Sequence, residues 1–208
     1  MHSGRNPWED DYLRRGRLWS GRSISLSGLP YSSRILELGC GDGKTVESLV
    51  RNGFTVTAVD FSPAAASLCR NACPDSDRAR ILIADTQKIP FCNASFDVIL
   101  ASHITAHLND GGRRNLAGEV IRLLVPGGLL YFRDFSARDF RYGRGLETEA
   151  GTFQRKNGIA THYFTREEVL TLFHELAVRS LVEHPWEMRV RSIGMPRSEI
   201  VAEFKKPA

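Results

Sequence analysis

Apolar and polar positions along this chain fall into blocks. Arg34–Leu38 (RILEL), Thr55–Asp60 (TVTAVD), Arg80–Ile83 (RILI), Phe96–Ser102 (FDVILAS) and Leu129–Phe135 (LLYFRDF) are short, mostly apolar runs. Between them lie Lys44–Asn52, Pro63–Ala72 and Arg113–Leu124, where apolar side chains recur at helical spacing. The runs read as strands buried on both faces and the intervening segments as amphipathic helices. Their alternation predicts a parallel sheet flanked by helices. Ser62-Pro63 reads as an N-cap followed by proline at the first helical position, and Gly53 as a helix stop. Pro126-Gly127-Gly128 reads as a turn ahead of the fifth strand.

The pattern changes after Phe135. Residues 136–161 are rich in Gly, Arg and aromatic side chains without a clear period, and read as a long loop, which usually has a job. A helix follows from about Thr165 to Leu176, opened by the Thr165/Glu168 capping box. Val178–Arg189 and Ile200–Lys205 could close the sheet as an antiparallel pair.

Composition narrows the classes. The chain has 208 residues, 42% hydrophobic and 25% charged, which suits one domain with a sizeable core. No apolar run approaches the roughly 18 residues of a membrane span. The charged N-terminus has no apolar signal core. Four cysteines occur without a Cys-x-x-Cys or a His pair, so no metal is expected and reduced thiols in a cytoplasmic protein are. A net charge of +4 tolerates nucleic acid without arguing for it.

The informative segment is ILELGCGDGKT, residues 35–45. A strand ends at Glu37-Leu38, then Gly39, Gly41 and Gly43 alternate before a helix. A dinucleotide fingerprint needs G-x-G-x-x-G, but the sixth position is Lys44 counted from Gly39, or Val46 from Gly41. A P-loop needs a glycine five residues before Gly43-Lys44-Thr45, and that position is Leu38. Taken as it stands, E-x-G-x-G-x-G resembles motif I of class I S-adenosylmethionine-dependent methyltransferases. The further landmarks follow in order: Asp60 closing the second strand, Asp85 after the third, SFDVILAS (95–102) and LLVPGGLLYF (123–132).

The resemblance implies a Rossmann-like, doubly wound α/β fold with a seven-stranded sheet. The sheet would be mostly parallel with an antiparallel C-terminal pair, and helices would cover both faces. It divides the chain into an N-terminal helical lead-in (1–33) and a methyltransferase domain (34–208). The cofactor implied is S-adenosyl-L-methionine, held by Glu37, Gly39, Cys40, Gly41, Asp60, Phe61, Asp85, Thr86 and Ser102. Asp60 would take the ribose hydroxyls and Asp85 the adenine amino group. Tyr12 and Trp19 would close over the methionine end. Strand-end turn capping is the competing role for either aspartate.

The segments FRDFSARDFRYGRG (132–145), GTFQRKNGIATHYFTREEVLTLF (151–173) and MPRSEIVAEFKKP (195–207) resemble the C-terminal half of tRNA 3-methylcytidine methyltransferases. WEDDYLRRGRLW (8–19) is similar to that family's lead-in. This implies methylation of a tRNA base, with Arg133, Arg138, Arg141 and Arg155 as substrate-binding candidates. A small-molecule acceptor, or a silent cofactor-binding subunit, is the alternative. Cytosine N3 has a free lone pair and needs no base; Asp134 is then the candidate to stabilise developing charge, unless it pairs at the surface with Arg133 and Arg138. An oxygen acceptor would call for a base, for which His103 is the candidate, with His107 four residues on.

Overall fold

Strands covered on both faces are mostly apolar, as Ile35–Leu38, Val56–Asp60 and Phe96–Ser102 are. The computed structural model describes residues 6–17, 26, 28–74, 77–190 and 193–208. It places strands β1 (Ile35–Leu38), β2 (Val56–Asp60), β3 (Ala79–Ile83), β4 (Phe96–Ser102) and β5 (Leu124–Phe135) in parallel. The long hairpin β9 (Ala177–Val190) and β10 (Ile193–Lys205) adds to β5 antiparallel, so the seven strands run in the order β3-β2-β1-β4-β5-β10-β9. The expected architecture is present.

Neighbouring residues of one strand enter opposite layers. Ile35, Val98 and Leu100 pack with Val46 and Leu49 of helix α2 (Lys44–Arg51) and Cys69 of α3 (Pro63–Ala72). Leu36, Ile99 and Phe132 pack on the other side. There they meet Leu116, Val120 and Leu123 of α4 (Asp110–Leu123), Val169 of α5 (Arg166–Leu172), and Phe173. A further helix, α1 (Pro7–Arg15), precedes β1.

Local signals settle the helix ends. The Ser62 hydroxyl accepts the Ala65 N–H at 3.0 Å, with Pro63 at the first helical position. Thr165 and Glu168 form the reciprocal capping box, Thr165 Oγ1 accepting the Glu168 N–H at 3.2 Å. Thr165→Ala removes that acceptor at the entry of a helix that seats Val169 in the core. Thermal melts should show a loss of about 1 kcal/mol, or roughly 2–4 °C at this chain length. An unchanged Tm would mean that the cap contributes nothing.

Two expectations need correction. Pro126-Gly127-Gly128 does not form a separate turn; it lies within β5, where the register against β4 slips between Phe96 and Val98. A side chain at Gly128 would put its Cβ 3.1 Å from the Asp97 carbonyl oxygen, so glycine lets the bulged backbone pass close to β4. Residues 136–161 are not an unstructured loop either. They hold a second, three-stranded antiparallel sheet, β6 (Leu146–Glu149), β7 (Thr152–Gln154) and β8 (Ala160–His162), next to the aromatic cluster Phe135, Phe153 and Tyr163.

Candidate active site

Strand order reverses on either side of the β1–β4 pair, so the loops leaving these strands diverge and open a cleft at their carboxyl ends. The loop after β1 carries Gly39, Gly41 and Gly43 with φ of +68°, +53° and +83°, left-handed conformations that favour glycine. Space excludes side chains as well. A Cβ at Gly39 would lie 2.9 Å from Ile104 Cδ1, and one at Gly41 would lie 2.6 Å from the Tyr12 hydroxyl.

Asp60, at the end of β2, ties this loop to α3. Its Oδ2 accepts the Gly41 N–H and its Oδ1 the Ser62 N–H, both at 2.9 Å. Burial pushes its carboxyl above the usual range, and the backbone donors offset part of that rise. Glu37 is buried on β1, and its Oε2 has no hydrogen-bond partner. Burial pushes this carboxyl up to about 8, against the lowering effect of a Thr45 hydrogen bond; Asp60 and Asp42 add to the rise. The buried Cys40 thiol bonds to Cys69 of α3, and this bond together with burial pushes it far above the ordinary thiol range.

Helix α1 lies over this cleft. Glu9 accepts the Ala64 N–H at 3.2 Å and the Ser62 hydroxyl, adding an acidic group at the N-terminus of α3. Tyr12 is buried above Gly41, and Trp8 packs edge-on against His107 with ring centroids 4.6 Å apart. Trp19 lies outside the described residues. Phe61 and Ser102, at the ends of β2 and β4, are partly buried and Thr86 is buried. Asp85 is exposed and accepts from its own turn, from Gln87 N at 2.9 Å and Gln87 Nε2 at 3.3 Å.

The other side of the cleft centres on His103, just beyond β4 with φ +55°. Its ring lies 4.5 Å from that of Phe135. Nδ1 is 3.7 Å from Asp134 Oδ1 and Nε2 is 3.5 Å from Glu199 Oε1. Asp134 is fully buried and accepts the Ala106 N–H at 2.9 Å, which fixes the turn after β4. It does not pair with Arg133 or Arg138. Arg133 bonds Glu199 at 2.7 Å, and Arg138 reaches Glu183 at 3.4 Å. The Asp134 Oδ1 lies beside His103, whose buried Nδ1 has no hydrogen-bond partner among the described residues. His107 turns the other way, with Nδ1 2.8 Å from the Ala160 carbonyl oxygen, and burial holds its pKa below the ordinary value. That makes it a neutral pin between the β4 turn and β8.

Of the four arginines expected to meet a substrate, three are engaged within the protein. Besides Arg133 and Arg138, Arg141 bonds Asp139 at 2.8 Å and stacks 4.0 Å over the Phe135 ring. Arg155 has no ion pair among the described residues; burial of its guanidinium, with Arg141 and Arg197 nearby, lowers its pKa. Sequence reasoning missed Glu199 and Arg197. Both are buried on β10, where Arg197 bonds Asp139 at 2.7 Å. A charged residue within a closing Pro-Arg strand was the available signal. Among the described residues no three His, Cys, Asp or Glu side chains gather as a metal site, and no helix is long and apolar enough to cross a membrane.

Residues 36–132 match the family model described as a methyltransferase domain. Over that stretch the chain is similar to methyltransferase domains. The residues present suit S-adenosylmethionine as a cofactor: a glycine loop bare of Cβ atoms, and a buried Glu37 oxygen without a donor. The chain is 28% identical over 197 residues to the tRNA N(3)-cytidine methyltransferase METTL2 of Gallus gallus, covering 87% of this chain and 53% of that protein. It thus spans about half the length of that relative. Among solved structures, a SAM-dependent methyltransferase from Methanosarcina mazei superposes with a TM-score of 0.76 at 22% identity, over 89% of this chain and 99% of that one. The Burkholderia thailandensis 1,6-didemethyltoxoflavin-N1-methyltransferase, solved with bound S-adenosylhomocysteine, gives 0.61 at 19% identity, over 85% and 72%.

Proposed function

We propose that this protein transfers the methyl group of S-adenosylmethionine to N3 of cytidine in tRNA. One observation carries the reading: the similarity to a tRNA N(3)-cytidine methyltransferase extends well beyond the methyltransferase-domain match at residues 36–132. In this reading residues 34–208 form the catalytic unit and 1–33 the lead-in, with Glu37, Gly39, Gly41, Asp60 and Tyr12 on the donor side. When bound, the cofactor supplies an already activated methyl group on its sulfonium. The chain's own task is to align the acceptor and exclude water, an effect on the order of 7–11 kcal/mol. Because N3 carries no proton, no general base is required. The His103 ring, held between Asp134 and Glu199, faces the acceptor, and the two buried carboxylates offset positive charge developing on the base. Asp134 acts through His103 and is a positioning residue.

A small-molecule acceptor is the second reading. It is favoured by the pairing of Arg133, Arg138 and Arg141 with Glu199, Glu183 and Asp139, which leaves few cations for phosphates. Incubation with labelled cofactor and total tRNA, followed by nucleoside mass spectrometry, separates the two. The expected product is 3-methylcytidine, with RNA affinity falling steeply as salt rises. Label that never enters RNA overturns the tRNA reading.

A further inference from the structure

On β10, across the cleft from the glycine loop, stands a buried carboxylate with only one of its oxygens hydrogen-bonded. Glu199 pairs with Phe135 in the β5–β10 register, which sets it at the carboxyl end of β5, beside the turn after β4. It is buried, so protein or ligand must satisfy it in place of water. Oε2 accepts Arg133 Nε at 2.7 Å. Oε1 lies 3.5 Å from His103 Nε2 and accepts no hydrogen bond among the described residues.

The surroundings of Oε1 are held in place. The His103 ring keeps 29% of its surface, stands on left-handed backbone at φ +55° and lies against Phe135 with centroids 4.5 Å apart. Such a backbone persists in a residue with a side chain only where its neighbours fix it. Arg133 sets the carboxylate's orientation, holding Oε2 and leaving Oε1 beside His103. An ionised carboxylate oxygen only accepts hydrogen bonds. The ligand group that complements it is therefore a donor.

We propose that Glu199 selects the acceptor base by accepting a hydrogen bond from the exocyclic amino group of cytosine. The assignment rests on the tRNA reading above. In cytosine that amine adjoins N3, so a base with N3 aimed at the donor methyl offers an N–H to Oε1. Uracil carries a carbonyl at the same place, and its oxygen would meet the carboxylate acceptor to acceptor. A site built to bind a donor rejects the analogue lacking it far better than an apolar pocket does. The contact also strengthens during transfer. As the N3 lone pair forms the new N–C bond and the S–C electron pair goes to sulfur, positive charge spreads onto the amine beside Oε1. No proton moves.

Mapping 3-methylcytidine in tRNA treated with the wild type gives the target position, and synthetic RNA hairpins then carry cytidine or uridine there. Fluorescence anisotropy with S-adenosylhomocysteine present reads the affinity of wild type and Glu199→Gln for each hairpin. Wild type should prefer cytidine by about tenfold to 100-fold. In Glu199→Gln, Arg133 still takes the oxygen, so the amide turns its NH2 toward the base, and the preference should vanish or reverse to uridine. A general disturbance weakens both hairpins alike and leaves the ratio unchanged, which overturns the proposal. If Glu199→Gln fails to fold, Glu199→Asp keeps the charge, withdraws the oxygen and should narrow the same ratio; an unchanged ratio again overturns it. If labelled methyl never enters tRNA, the tRNA reading falls and takes this assignment with it. A cytidine preference indifferent to Glu199 overturns the assignment alone.

Discussion

Asp60→Ala is expected to weaken S-adenosylhomocysteine binding about 100-fold or more. The Asp60 carboxylate is buried and held by backbone N–H groups, among them those of Gly41 and Ser62, which aim it for a vicinal diol. Hydrogen bonds to a charged group contribute roughly 1.5–3 kcal/mol each. Two of them amount to about two decades of affinity or more. Asp60→Asn keeps the shape and one acceptor, so it should fall between Ala and wild type. Titration calorimetry reads the affinities, and a thermal melt of each ligand-free variant separates lost binding from lost folding. If folded Asp60→Ala binds within threefold of wild type, the ribose is anchored elsewhere.

Glu37→Gln should act in opposite directions on folding and on binding. In the ligand-free protein burial pushes the Glu37 carboxyl up to about 8 from an ordinary value of 4.5. As pH rises through that window the unfolded chain gives up this proton while the folded chain keeps it. By linkage, stability attributable to Glu37 is greatest at or below pH 4.5, falls between about 4.5 and 8, and levels off above. Glutamine has no proton to lose, so the variant's Tm should rise relative to wild type by several degrees at pH 8, with little gain at pH 4.5. Its affinity for S-adenosylhomocysteine should fall roughly tenfold to 100-fold, because the ligand's α-ammonium prefers a carboxylate to an amide. At pH 7 wild-type binding should also release a proton, visible as a heat that depends on the buffer's ionisation enthalpy. The same proton release from Glu37→Gln would remove Glu37 from the binding event.

The central sheet was legible because its strands are buried on both faces. Val56–Asp60 and Phe96–Ser102 need apolar side chains at nearly every position, so their limits show in composition alone. The three short strands after Gly145 left no such trace. β6 is largely exposed, and β7 and β8 have three residues each, too few to establish a period. They are held by pairing with one another and by the nearby ring cluster. The glycine loop and Asp60 were readable at the candidate site because left-handed backbone and a strand-end carboxylate are local signatures. Glu199 was not: on an alternating strand it looks like a solvent-facing position. Only the crossing of β10 past the end of β5 makes it a buried partner of Arg133 and His103. The rival surface role of Asp134 fails for the converse reason. Flanking arginines suggested a surface cluster, while the strand's alternation turns Asp134 inward and Arg133 toward Glu199.

The nine-residue helix α1 touches both halves of the cleft. Glu9 and Tyr12 engage α3 and the glycine loop. Trp8 packs on His107, and Pro7 lies so near Gly158 that a Cβ there would come within 3.2 Å of Pro7 Cγ. Any ligand that seats this helix on one half also completes its contacts with the other. Binding that orders this helix from either side would couple donor and acceptor, and whatever factor the cofactor then added to the acceptor's affinity, the acceptor would return to the cofactor's.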